Sequence, residues 1–263
     1  MGILNITPDS FADAAHVTDP ARAADVALEM EADGADLIDI GGESTRPGAE
    51  LLPVGEELGR VMPVLRHLAG RLRIPISIDT SKADVARAAL DAGASLVNDV
   101  SGLHRDPSLA RVVAESGAAL VLMHSRGTPK TMTGDAVYQD VIAEVVAELT
   151  TSVRAAEAAG VPIDRIVADP GLGFAKRPAH SYGVLARLPE ISVALGRPLL
   201  VGPSRKSFMR EALGDRPPAE RDWGTAAAVT SAVLGGAHIV RVHALAEMIQ
   251  VVRVAEQIRR HAP

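Results

Sequence analysis

Several short apolar runs in this chain end in side chains that can do chemistry: Asn5, Asp79, Asn98, His124, Asp169 and the pair Arg241 and His243. Two carboxylates and an amide converging on one cavity allow metal binding, acid–base work or recognition of an amidine-like edge. In the last case an Asp accepts two parallel N–H bonds, as it does from Arg. The residue types leave all three open. There is neither an HExxH motif nor a His cluster, which argues against a transition-metal cage. Oxygen-rich Mg2+ coordination, shared between a phosphate and the Asn5 amide, fits the donors present. Arg241 lies between Val240 and Val242, so alternation turns it to the face opposite its apolar neighbours. Lys206 in VGPSRKSF adds a cation late in the chain, and a helix starting at Ser207 is expected to add its N-terminal dipole for an anion. Arg205 reads equally well as a surface charge. His124 is a weak functional pointer, while His16, His67, His104, His180, His238 and His261 read as loop or surface residues.

Such residues need elements to hold them, and one local pattern recurs. A helical stretch ends in Gly, and a short apolar run closed by a polar residue follows, around Gly34, Gly93, Gly117 and Gly236. Glycine suits the left-handed residue that ends a helix, and an apolar run buried on both faces reads as a parallel strand. The expected strands are Gly2–Ile6, Leu37–Ile40, Ile76–Asp79, Leu96–Val100, Leu120–His124, Ile166–Asp169, Leu199–Gly202 and Ile239–His243. Helical patterns such as Pro20–Ala32, Lys82–Asp91 and Gln139–Ala159 separate them. Eight βα units at this length predict a (β/α)8 TIM barrel of α/β class, one domain over residues 1–263, with its site at the C-terminal strand ends. A doubly wound open sheet is the rival, but no GxGxxG follows the first strand.

Composition narrows the function. The 263 residues carry a net charge of −6, no cysteine, and only three Phe, two Tyr and one Trp. Disulfides, Cys-ligated metals and thiol catalysis are excluded. Mild acidity and few aromatics argue against nucleic acid as a partner. No apolar stretch is long enough to span a membrane, and the N-terminus lacks a basic n-region, so a cytoplasmic protein is expected.

Three Gly/Pro-rich loops, ITPDSF, GGESTRPGA and DPGLGFAK, then stand out as candidate lids. Together with SIDTSK, VNDVSG, LMHSRGTPKTM, VGPSRKSF and RVH they run in order over nearly the whole chain, and the set resembles the dihydropteroate synthase family. The resemblance implies a barrel enzyme that joins 4-aminobenzoate to 6-hydroxymethyl-7,8-dihydropterin pyrophosphate and releases pyrophosphate. By the same resemblance, Asp79, Asn98, Asp169 and Lys206 hold the pterin, and Asn5, Arg241 and His243 the pyrophosphate, with Mg2+ near Asn5. Thr45, Arg46, Pro47, Phe174 and Ser207 would surround aminobenzoate, Asp9 and Phe11 belong to the first loop, and Met123 joins the substrate-binding set. A homodimer is implied as well. Departures are the Gly-poor ADAAHVTD after Phe11, Ala244 after RVH where an acid is common, and Ser181 where Asn is frequent. A non-catalytic pterin-binding homologue and a methyltetrahydrofolate-binding methyltransferase barrel are the competing functions. All three phenylalanines, Phe11, Phe174 and Phe208, fall in these motifs, which predicts flat aromatic substrates beside them.

Overall fold

Apolar runs of four or five residues have both faces to bury, and in this chain they do so by forming a closed parallel barrel wrapped in helices. The computed structural model describes residues 1–7, 19–46 and 48–262; the expected site residues Asp9, Phe11 and Pro47 lie outside them. The strands are β1 (Gly2–Asn5), β2 (Ile38–Gly41), β3 (Ile76–Asp79), β4 (Leu96–Asp99), β5 (Ala119–Met123), β6 (Ile166–Asp169), β7 (Leu200–Val201) and β8 (Ile239–Val240). From β1 to β6 each strand pairs in parallel with the next, and β7 pairs with β8. Bridges Ala168–Leu199 and Gly2–Val242 join the two sheets on both sides and close the ring.

The alternation of side chains sorts this barrel into an apolar outside and a graded inside. Ile38, Ile40, Ile78, Val97, Leu120 and Ile166 face outward into the packing with the helices. Met1, Leu37, Leu96, Val121 and Leu200 fill the lower interior. One step further along the same inward rows stand Asp39, Asp79, Asn98, Met123, Asp169 and Arg241. Strand register sets their level, since Asn5 pairs with Gly41, Gly41 with Asp79, Asp79 with Asn98, and Met123 with Asp169. The C-terminal end of the barrel is thus polar because of a phase relation within each strand.

The helices are α1 (Pro20–Ala32), α2 (Val54–Leu68), α3 (Ala83–Asp91), α4 (Leu109–Ser116), α5 (Val141–Ala158), α6 (Pro178–Ala186), α7 (Leu188–Leu195), α8 (Arg210–Leu213), α9 (Asp222–Leu234) and α10 (Leu245–Arg260). Local signals explain their ends. The Asp19 carboxylate caps Ala21 N–H, and Asp140 caps Ile142 and Ala143. The four expected helix-ending glycines all have left-handed φ, between +72° and +105°. Ala244 leaves α10 without a side-chain cap.

Two expectations need correction. The last two strands are shorter than read from sequence. Pro203 has no N–H with which to extend β7; beyond β8, Arg241 N–H bonds Val201 O (3.0 Å), and Val242 turns to the β1 side, its N–H bonding Met1 O (3.0 Å) and its O accepting from Ile3 N–H (3.1 Å). No long helix starts at Ser207. A 3-10 turn, Ser207–Met209, is followed by the four-residue α8, too short to give the expected dipole.

Candidate active site

A shared cation organises the barrel mouth. Arg241 leaves β8 on the inward face and reaches across to β2 and β3, its Nε donating to Asp39 Oδ2 (2.6 Å) and a terminal nitrogen to Asp79 Oδ2 (2.9 Å). Asn98 Nδ2 donates to the same Asp39 oxygen at 3.0 Å. Asp39, which the sequence reading missed, therefore ties Arg241 to Asn98, and Arg241 in turn holds Asp79. The signal was present: in LIDIGG the carboxylate alternates with Ile38 and Ile40, as Arg241 does with its valines. One guanidinium serves two carboxylates, and burial together with the charges of Asp39, Glu57 and Asp99 pushes the Asp79 carboxyl up against the pull of Arg241. Among the described residues, Asp39 Oδ1, Glu57 Oε1, Ser77 Oγ and Asn98 Oδ1 are buried without a hydrogen-bond partner. Buried polar atoms are rarely left so, and Asp39 Oδ1 and Asn98 Oδ1 stand at the barrel mouth, where a polar ligand edge would satisfy them.

The loop after β6 supplies the opposite wall. Asp169 Oδ1 accepts from Gly171 N–H (2.7 Å), and Lys206 Nζ donates to Leu172 O (2.5 Å) while lying 4.4 Å from the centre of the Phe174 ring. Burial raises the Asp169 carboxyl although Lys206 opposes it, and burial lowers Lys206 to about 8 although Asp169 opposes that. Each is the other's counter-charge. Lys176, also buried, donates to Phe174 O (3.2 Å) and sits 2.7 Å from His124 Nδ1. Desolvation brings this lysine down to about 7. On its far side His124 Nε2 lies 3.0 Å from Glu148. Burial and the charges of Lys176 and Arg126 keep the imidazole neutral. His124 thus supports the loop from beneath. Ser181 Oγ accepts from Gly173 N–H at 3.2 Å.

His243 is tied to β7 rather than to the carboxylates. Ser204 Oγ accepts from the His243 backbone N–H (3.2 Å) and lies 2.9 Å from Nδ1, which favours the tautomer with its proton on Nε2. Burial, then Arg241, Arg205 and Arg46, lower this imidazole to about 3, so His243 meets an anion as a neutral donor. Arg205 is no loose surface charge, because Asp222 holds it through both oxygens at 2.8 Å.

Of the remaining expected residues, Thr45 and Phe174 line a cleft of about 840 Å3 that opens beside Asp79, together with Ser81, Arg105, Arg126 and Thr128. Arg46 and Ser207 are exposed, and Met123 is buried against Gly171. Phe208 departs from expectation: it packs edge-on to Tyr182 (5.1 Å) in the outer core, since the turn that carries it faces α6.

Asn5 ends β1 level with Gly41, half-buried. No trio of His, Cys, Asp or Glu among the described residues could cage a metal. That donor set fits Mg2+ only in its usual enzymatic form, with one protein oxygen and the rest from phosphate and water.

A closed barrel with carboxylates, an amide and lysines converging at the strand ends defines a class, and comparison identifies it. The family model described as pterin binding enzyme matches residues 1–243, and the chain belongs to that family. Within it the similarity is to dihydropteroate synthases. The Synechocystis enzyme is 47% identical over 260 residues, which span 99% of this chain and 90% of that one. The crystal structure of Yersinia pestis dihydropteroate synthase with a sulfonamide drug complex superposes with a TM-score of 0.94 at 41% identity, covering 99% of this chain and 94% of that one. The Xanthomonas albilineans enzyme in complex with 7,8-dihydropteroate gives 0.87 at 40% identity, covering 100% and 94%. No helix of the described residues is long and apolar enough to cross a membrane.

Proposed function

We infer that this chain, acting as one barrel domain, is a transferase that condenses 6-hydroxymethyl-7,8-dihydropterin pyrophosphate with 4-aminobenzoate to give 7,8-dihydropteroate and pyrophosphate. The observation that carries the reading is the buried Asp39–Arg241–Asp79–Asn98 set facing Asp169 and Lys206 across a barrel mouth. A pterin presents a guanidine-like edge and ring heteroatoms to such donors and acceptors. Asp169 accepts from the 2-amino and N3 hydrogens, Asn98 offers its unpartnered Oδ1 to a ring N–H, and Lys206 exchanges its bond to Leu172 O for a ring acceptor. Arg241 uses two of its five N–H donors on Asp39 and Asp79, and the others, with neutral His243, receive the pyrophosphate oxygens. As the C–O bond breaks, its electron pair leaves with pyrophosphate, and the exocyclic carbon is a cation delocalised into the pterin. The aniline lone pair closes the C–N bond, and the nitrogen's proton passes to solvent or pyrophosphate. Donors placed where charge develops supply the largest single contribution, about 3–4 kcal/mol for one. Asn5 is the residue that would hold Mg2+, which when bound neutralises pyrophosphate charge.

Thr45, Arg46 and Phe174 frame the aminobenzoate side, Phe174 stacking on the arene while its ring underlies Lys206. We include a homodimer and a cytoplasmic location in this reading. Exposed Trp223 and Leu234 on α9 and Val254 and Ile258 on the adjoining α10 support the dimer. The location rests on the sequence alone. Purified protein with Mg2+, the pterin pyrophosphate and labelled 4-aminobenzoate should release dihydropteroate and pyrophosphate in equal amounts. Folded protein that binds pterin but makes no product would instead be a non-catalytic binder.

A further inference from the structure

An ionic cluster outside the pterin pocket joins four elements. Glu43 follows β2, Glu57 lies in α2, Lys82 immediately precedes α3, and Arg105 lies between β4 and α4. Lys82 Nζ is 3.1 Å from Glu43 and also pairs with Glu57; Arg105 pairs with Glu43 at 2.5 Å and donates to Ser81 Oγ at 3.1 Å. The side chains of Glu43 and Lys82 are each 9% exposed, and that of Glu57 is 0%. Isolated buried ion pairs add little net stability, because desolvation offsets attraction. What this cluster does is geometric. Glu43 Oε1 accepts from the backbone N–H of Leu52 at 2.6 Å, so the carboxylate at the start of the loop grips the residue at its end. The same loop is tied to the one after β5 by Gly48 N–H to Pro129 O (2.8 Å) and by Lys130 to Glu50 (2.6 Å). Beneath it Gly42 leaves no slack: a Cβ there would stand 2.9 Å from Val61.

We propose that Glu43 is a positioning residue, whose carboxylate, clamped by Lys82 and Arg105, closes the loop bearing Thr45 and Arg46 into a fixed ring over the cleft and so sets the enzyme's affinity for the aminobenzoate substrate. The proposal rests on the function inferred above. Arg105 and the Leu52 N–H also hold the Glu43 carboxyl below its ordinary value against the opposing effect of burial, so the clamp stays charged at neutral pH. Without it the loop trades a fixed approach surface for a mobile one, and binding has to supply the ordering entropy.

Glu43→Gln keeps the size of the side chain and removes its charge. The KM for 4-aminobenzoate should rise about tenfold while that for the pterin pyrophosphate stays within about twofold. Hydrogen exchange over residues 44–52 should quicken, most at Leu52. Arg105→Met, on the half-exposed edge of the cluster, should act in the same direction more weakly and serves if the first variant does not fold. A lowered Tm with both KM values and the exchange unchanged, or with both KM values moved together, would overturn the clamp. If the wild type makes no dihydropteroate, the functional reading fails, and the exchange comparison alone decides for or against the clamp.

Discussion

Arg241 and Asp39 stand 202 residues apart in sequence and 2.6 Å apart in the barrel, and the polar set at the barrel mouth is held together by their pairing. Asp39 orients Arg241 toward Asp79 and fixes the Asn98 amide, so that Asn98 Oδ1 is left to meet a ligand. Asp39→Asn removes one of the two carboxylate charges that hold the buried guanidinium, leaving Asp79 alone to orient it. We expect kcat/KM for the pterin pyrophosphate to fall about a hundredfold, a loss of about 2.7 kcal/mol in transition-state stabilisation. Steady-state kinetics would check it, and a value within threefold of wild type would show that Arg241 is oriented by other means.

At the scale of the element, the loop after β6 is the most constrained part of the site. Gly171, Gly173 and Ala175 take left-handed φ of +67°, +77° and +44°, and the carbonyls of Leu172 and Phe174 between them meet Lys206 and Lys176. A Cβ at Gly171 would stand 2.0 Å from His124 O, a backbone atom that cannot yield. Gly171→Ala therefore combines backbone strain with a clash, costing about 2–4 kcal/mol, and misplaces Asp169 through its bond to Gly171 N–H. A lowered denaturation midpoint together with weakened pterin binding is the expected result; weakened stability with unaltered pterin affinity would separate the loop from the site. DPGLGFAK stood out in the sequence together with the other two Gly/Pro-rich loops. That its Lys176 is buried against His124 was not legible there, since a lysine ending a loop motif reads as solvated, and only the end of the neighbouring strand supplies His124 as its partner.

For the molecule as a whole, buried neutral histidines make stability pH-dependent. His243 titrates at about 3 in the fold against 6.5 for a free histidine. Its folded value is depressed, so the unfolded chain takes up the proton first. The contribution is intact above 6.5 and drains away as pH falls toward 3. The raised carboxyls of Asp79 and Asp169 act with the opposite sign, because there the folded state takes up the proton first. A variant isolates the histidine: between pH 6.5 and 5, His243→Asn should lose up to about 2 kcal/mol less stability than the wild type. Denaturant unfolding at the two pH values measures it, and equal losses would mean the imidazole is accessible to solvent in the folded state.

Strand count, barrel closure and the end of the barrel that carries the chemistry follow from the chain read alone. They depend on local quantities, namely apolar runs buried on both faces, glycines that end helices, and the phase of a polar residue within its strand. Even Asp39 was accessible by that phase rule, applied to β2 as it was to β8. Phe208 shows where motif membership fails, for its place between core and cleft is set by the turn that carries it. Partnership is decided only in three dimensions: Arg241 with two carboxylates, Lys176 with His124, Glu43 with Lys82 and Arg105. Charges are satisfied by whatever the closed barrel brings within about 3 Å, a distance that sequence separation does not encode. Protonation follows the same logic. A neutral His243 and lysines lowered toward 7 and 8 are consequences of burial among like charges, which exist only once the ring of strands has closed.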